Sequence, residues 1–152
     1  MKNKLIILNL FIILSAQVFS QKNEEIQALD STSVAQIQQI LNTEITINFD
    51  FNECKIKSEF INILDEFIAN LSKENNYSAI IYGYTDSVGN DEDNIKLSFC
   101  RANTVKNYFI EKGISENRIQ VISKGEKAAI ADNNTEEGAY KNRRVVINFV
   151  KK

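Results

Sequence analysis

The sequence predicts an α/β domain of the α+β two-layer kind, with a mixed parallel and antiparallel sheet packed by helices in the order β-α-β-α-β-β. Three observations predict it. Residues 44–51 alternate apolar and polar side chains, as a half-buried strand requires. Two stretches with apolar residues at helical spacing fall between strand-like runs. No repeat and no linker interrupts residues 44–152, so strands and helices must share one core.

The elements follow in order. After the first strand, Ile56, Phe60, Ile63, Leu64, Phe67 and Leu71 recur at helical spacing. Residues 78–84 are apolar and rich in strand formers, which suits a central strand. Residues 85–90 are a turn, with Gly89 at a left-handed position. A long helix then runs from about Asp91 or Asp93 to Lys112, where Gly113 stops it. A third strand covers 118–123, an extended polar loop 128–140, and a last strand 144–150.

The chain has 152 residues, with 43% hydrophobic and 25% charged side chains, values ordinary for a single globular domain. It contains no histidine, which excludes His-ligated metal sites, Ser-His-Asp triads and a histidine general base. Its two cysteines cannot make a four-ligand zinc site by themselves. No cofactor is expected, and most enzyme classes are disfavoured.

Lys2 and Lys4 precede an apolar run over 5–14 broken only by Asn9, too short for a membrane span. Val18 and Ser20 are the small residues of a cut before Gln21, so residues 1–20 are expected to be a cleaved secretory signal. The competing reading is an uncleaved anchor, which the short apolar stretch disfavours. No cysteine follows the apolar run, so no lipid attachment is encoded there. Residues 21–43 form a lead-in in which Ser31, Thr32 and Ser33 offer caps to a short helix bearing Val34, Ile37 and Leu41. Removing Lys2 and Lys4 leaves 16 basic against 20 acidic residues, a net charge of −4. Without a basic run, such a chain is not a nucleic-acid binder.

The long helix carries a charge in an unusual place. At about 100° per residue, Arg101 lies on a broad arc with Leu97, Val105, Ala102 and Phe109, while Asp93, Lys96, Cys100, Asn103, Thr104 and Asn107 share the polar arc. A guanidinium there needs an internal partner, a stem laid over apolar neighbours with its head in water, or a ligand. Its planar fork suits a ligand carboxylate. Asp86 lies at the C-terminal end of a central strand, where open α/β sheets tend to bind ligands. A carboxylate beside a guanidinium complements a zwitterion such as an amino acid.

Gly83-Tyr84-Thr85-Asp86-Ser87-Val88-Gly89, then Asn94, Leu97-Ser98, Arg101-Ala102 and Gly113-Ile114 resemble the signature of OmpA-like C-terminal domains. Arg118-Ile119, Gly125-Glu126, the run from Ala131 to Thr135, Gly138 and Asn142-Arg143-Arg144-Val145 continue it, and Phe49-Asp50-Phe51-Asn52 resembles the family's first strand. The resemblance covers about residues 45–150. It implies non-catalytic binding of peptidoglycan through the diaminopimelate of the stem peptide, tethering or sensing the wall. Asp86 would take the ligand's ammonium and Arg101 a carboxylate. Arg144, the second arginine of the Asn-Arg-Arg motif, is expected at the same pocket, with Asn52, Thr85, Asn94 and Leu97 lining or supporting it. Three residues depart from the pattern: Tyr84 replaces a usual histidine, Ala139 an arginine and Ala129 a proline. With the signal, the resemblance implies export to the periplasm, or to the periplasmic face of the outer membrane, of a Gram-negative bacterium. The alternative is a structural component of an envelope or secretion assembly, held by an outer-membrane or envelope partner, without wall binding.

Other signals carry less. Cys100 on the polar arc suits either a surface thiol or a bridge to the segment carrying Cys54, and export favours pairing. Their neighbours Arg101 and Asn52 are expected around one pocket, which places a Cys54–Cys100 disulfide among the possibilities. Asp86, Asp91, Glu92 and Asp93 do not have calcium-loop spacing, and capping of the helix by Asp91 or Asp93 explains the last three. Asp86 with Asp132 as a hydrolytic carboxylate pair is conceivable chemically, but nothing in the sequence positions the second.

Overall fold

The computed structural model describes residues 44–152. The expected signal and lead-in, including the helix bearing Val34, Ile37 and Leu41, lie outside those residues.

Strand β1 (Ile45–Asn48) leads through a 3-10 turn at Ser58–Phe60 into helix α1 (Ile61–Lys73). Strand β2 (Tyr77–Gly83) follows, then helix α2 (Asp91–Glu111), and a second 3-10 turn precedes strand β3 (Ile119–Ser123). Helix α3 (Glu136–Asn142) and strand β4 (Arg144–Lys151) complete the described chain. The sheet order is β1-β4-β2-β3. Strands β2 and β3 pair in parallel, with Ala79 opposite Ile119 and Gly83 opposite Ser123, and α2 is the crossover that parallel neighbours need. Strand β4 runs antiparallel to both β1 and β2, so the last strand sits inside the sheet.

Side-chain alternation puts Ile45, Ile47, Ala79, Ile81, Val145 and Ile147 on the face the helices cover. Phe49, just beyond β1, joins them in the core. Against them α1 buries Leu64, Phe67, Ile68 and Leu71, the i, i+3, i+4, i+7 stripe of an amphipathic helix. Ile63, grouped with that stripe by spacing, is exposed at its edge. Helix α2 buries Asn94, Ser98, Arg101, Ala102, Val105 and Phe109. Ile95, Phe99 and Ile110 of the same helix face outward.

The helix ends follow capping rules, with one correction. Asn90, rather than Asp91 or Asp93, caps α2: its Oδ1 accepts from the Asp93 amide at 2.9 Å, and its Nδ2 donates to Asp93 Oδ2 at 2.8 Å. Asp91, Glu92 and Asp93 then fill the first turn, where the helix dipole favours negative charge. At the other end Gly113 adopts a φ of 94°, which a β-carbon would strain. Gly83 is required for space: a β-carbon there would lie 1.9 Å from the Ser98 carbonyl oxygen. That close approach seats α2 directly over the end of β2.

A second correction concerns the loop expected over 128–140. Its last part is helix α3, capped by Thr135 Oγ1, which accepts from the Gly138 amide at 3.0 Å. Seven residues are too few to show an apolar period, so only Thr135 followed by two glutamates signals the start. Helix α3 places Asn142, fully buried, against the preceding loop. Its side chain accepts from the Ile130 and Ala131 amides and donates to Ala131 O and Asn133 Oδ1.

Candidate functional site

The site forms where three chain segments meet above the C-terminal end of β2: the turn after β1, the turn after β2 and the start of β4. Helix α2 supplies Arg101 from above. The side chain is fully buried, and its guanidinium lies 5.4 Å from the centre of the Phe49 ring. Three backbone carbonyls hold it. Nε donates to Glu53 O at 2.8 Å, Nη1 to Tyr84 O at 2.9 Å and Nη2 to Asp50 O at 3.1 Å. Of the five N–H groups of a guanidinium, one on each terminal nitrogen is thus uncommitted among the described residues. Burial pushes the Arg101 pKa down to about 10; Asp86 opposes that shift and the Arg143 charge adds to it. The group stays cationic at neutral pH, inside the protein and bonded only to neutral dipoles.

Asp86 is buried as well, but its ion-pair partner is Arg143, not Arg101. Asp86 Oδ2 accepts from Arg143 Nη1 at 3.0 Å and Oδ1 from the Val88 amide at 3.3 Å. Arg143 also donates to Glu136 Oε1 at 2.6 Å and to Phe49 O at 3.3 Å. Burial pulls the Arg143 pKa down, yet the bonds to Glu136 and Asp86 outweigh it and hold the group above the ordinary guanidinium value. Around the Asp86 carboxylate stand two buried guanidiniums. Glu136, the remaining acid, is on the surface with its side chain 84% exposed. The interior cluster therefore carries an excess of positive charge.

The expectation that Arg144 shares this pocket is corrected by strand geometry. Gly83 lies opposite Val145 in the antiparallel pair, so Arg144 shares a face with Tyr84. Its guanidinium stacks 3.9 Å from the Tyr84 ring centre and donates to Ala128 O at 3.1 Å. Arg143, with the parity of Val145 and Ile147, faces the helices and Asp86. That parity was the available signal, since Val145 and Ile147 are evident core residues of a strand starting beside the doublet.

The other expected residues are distributed around the cluster. Thr85 is buried, with its amide donating to Gly125 O at 2.9 Å and its hydroxyl without a partner among the described residues. Asn94 is buried at the start of α2 and donates to Glu126 Oε2 at 2.9 Å, which secures the β3 end to the helix. Leu97 is half-buried one turn before Arg101. Asn52 is exposed at the tip of the first turn, with a left-handed φ of 54°. Tyr84 supplies Arg101 with its carbonyl, while its ring serves Arg144 on the other face. Asp132 directs its carboxylate to the Asn134 amide and side chain, so it is not a second carboxylate for Asp86.

Cys54 and Cys100 are joined in a disulfide, with S–S 2.05 Å and Cα–Cα 5.8 Å. The bridge links the residue after Glu53 to the residue before Arg101. Outside the turn it closes lies an open cleft of about 630 Å³, bordered by Asp50, Glu53 and Lys57 among others.

Comparison with known proteins places this architecture. Residues 48–143 match the model of the OmpA family. Outer membrane protein A of Bordetella avium is 41% identical over 102 residues, which cover 67% of this chain and 53% of that protein. The chain thus spans about half the length of that relative. The peptidoglycan-associated lipoprotein of Pasteurella multocida is 33% identical over 138 residues, covering 90% of each. The crystal structure of the peptidoglycan-associated lipoprotein from Burkholderia pseudomallei superposes with a TM-score of 0.67 at 23% identity, over 69% of this chain and 89% of that one. That likeness is one of fold. The family match and the aligned relatives together establish that this chain belongs to the OmpA family.

Proposed function

We propose that this domain anchors to, or senses, the bacterial cell wall without catalysis, by binding the diaminopimelate residue of the peptidoglycan stem peptide. The observation that carries the reading is the buried charge around Asp86. Arg101 and Arg143 are both buried there against one buried carboxylate, and Arg101 keeps one N–H on each terminal nitrogen. Two such donors match the two oxygens of a carboxylate. Asp86 accepts two hydrogen bonds, leaving acceptor capacity for a ligand ammonium, and the unpartnered Thr85 hydroxyl adds a donor or acceptor beside it. The pair is complementary to an amino-acid zwitterion.

Entry requires one of the covering turns to yield. Residues 87–90 of the turn over Asp86 are all exposed. The relatives support the wall as partner, since the Pasteurella and Burkholderia proteins are named for association with peptidoglycan. By the same likeness the protein works in the envelope of a Gram-negative cell, in the periplasm or against the outer membrane.

Titration calorimetry of the protein with a diaminopimelate-containing muropeptide tests the reading. Wild type binds; Asp86→Asn and Arg101→Lys each weaken binding by about tenfold or more, as loss of a buried charge contact does. Equal heats from all three proteins would refute the assignment of these residues. No heat from wild type would favour a role as a structural part of an envelope assembly.

A further inference from the structure

We infer that the Cys54–Cys100 bridge is a positioning element of the binding site, holding the turn 50–53 against the Arg101 guanidinium and so fixing which way its two uncommitted N–H groups point. The inference deepens the proposed wall-binding reading and rests on it for its ligand. Its structural basis is independent of any ligand.

Two of the three carbonyls that hold Arg101 belong to this one turn, those of Asp50 and Glu53. The turn is closed on itself by one backbone bond, from the Glu53 amide to Asp50 O at 3.2 Å, with Asn52 in the left-handed region. Phe51, Asn52 and Glu53 are all exposed, so packing of their side chains does little to restrain it. Its other side-chain tie is the Lys57–Asp50 ion pair at 3.5 Å, whose Asp50 carboxylate is 62% exposed. An exposed pair of that kind contributes little.

The disulfide differs from these ties in strength and in place. Cys54 follows Glu53, and Cys100 precedes Arg101, so the covalent link and the Nε to Glu53 O hydrogen bond close one small ring. One side of the ring is the S–S bond; the other is the guanidinium contact. The bridge keeps the Glu53 carbonyl within reach of Nε whether or not the weaker ties hold. Removing it frees the outer limb of the turn, while the inner limb stays attached to β1. Arg101 then loses the fixed Glu53 acceptor of its Nε, and its fork is held less firmly by Tyr84 O and Asp50 O alone. Orientation fixed in advance lowers the ordering cost of binding and sharpens discrimination between ligands.

The test compares the oxidised full chain with Cys54→Ser/Cys100→Ser. Reduction of wild type by a dithiol gives the same comparison without substitution; the dithiol supplies two electrons and two protons, becomes a disulfide, and leaves two protein thiols. The first readout is solvent exchange of the Arg101 Nε–H by NMR, its resonance identified by its loss in Arg101→Lys. Opening of the turn raises that exchange rate by about tenfold or more. The second is the ratio of affinities for a muropeptide with a free diaminopimelate carboxylate and for one with that carboxylate amidated. The ratio falls by about threefold or more without the bridge, a change that simple loss of stability in a protein still folded would not produce. A folded double variant with unchanged Nε–H exchange and an unchanged affinity ratio would overturn the inference. If oxidised wild type binds neither muropeptide, the wall-binding reading fails, while the exchange measurement still decides the role of the bridge.

Discussion

Arg143 and Arg144 are neighbours in sequence, and one peptide bond sends them to opposite sides of the sheet. The first meets Asp86, Glu136 and Phe49 O; the second lies on Tyr84 and donates to Ala128 O. Their loss should therefore differ in kind. Arg143→Gln strands a carboxylate that is itself buried, which costs about 3–5 kcal/mol. Arg144→Gln removes a stacked ring contact and a bond to a neutral carbonyl, about 1–2 kcal/mol. Urea denaturation of the two variants checks the ranking, and equal losses would contradict the pairing of Asp86 with Arg143. The burial of Arg101 is legible in the amino-acid sequence, because a guanidinium one turn from Leu97 and Val105 has few ways out to water. Its actual partners are not. Carbonyls carry no signature in a sequence, so an internal partner, solvent and a ligand all stay open for this guanidinium there.

Helices α1 and α2 are tied across their solvent side by Asp65. Its Oδ1 accepts from the Tyr108 hydroxyl at 2.6 Å and its Oδ2 from Lys112 Nζ at 3.0 Å. The bonds to Lys112 and then Tyr108 hold the Asp65 carboxyl below its ordinary value of 3.8. A carboxylate with a depressed folded pKa stabilises the fold above its unfolded pKa, and that contribution is lost as pH falls through the folded value. Wild type should thus exceed Asp65→Asn in stability at pH 6 and lose that advantage at a second, acidic pH, low enough that the carboxyl is protonated in the folded state too. Denaturant midpoints of both proteins at the two pH values measure it; a gap that persists in acid would show that Asp65 acts other than through its charge. Legibility at this scale depends on length. Helices α1 and α2 announce themselves by a stripe of apolar residues and by Gly113. Helix α3 does not, since its seven residues are set by Thr135, Asn142 and contacts to the preceding loop rather than by a period of their own.

At the scale of the molecule, the last strand lies between the first and second, so the sheet is complete only when both ends of the described chain have met. The parallel pairing of β2 with β3 follows from the helix between them. The interior place of β4 is hinted at only by its nearly unbroken apolar run from Val145 to Val150. The disulfide adds a constraint on this whole assembly that is separate from its action on the turn. It joins residues 46 positions apart, across β1's exit, α1, β2 and most of the first half of α2. Closing a loop of that size in the unfolded chain removes entropy equivalent to about 4 kcal/mol at room temperature. Reduction should therefore lower the unfolding free energy by several kcal/mol. It should also raise the denaturant slope, because the unfolded chain without its cross-link exposes more surface. Guanidinium titrations of oxidised and reduced protein test both expectations together. A lower midpoint with an unchanged slope would place the effect in the folded state, where the bridge bears on Arg101. A loss below about 1 kcal/mol would mean that the reduced unfolded chain keeps its two halves close without the bridge.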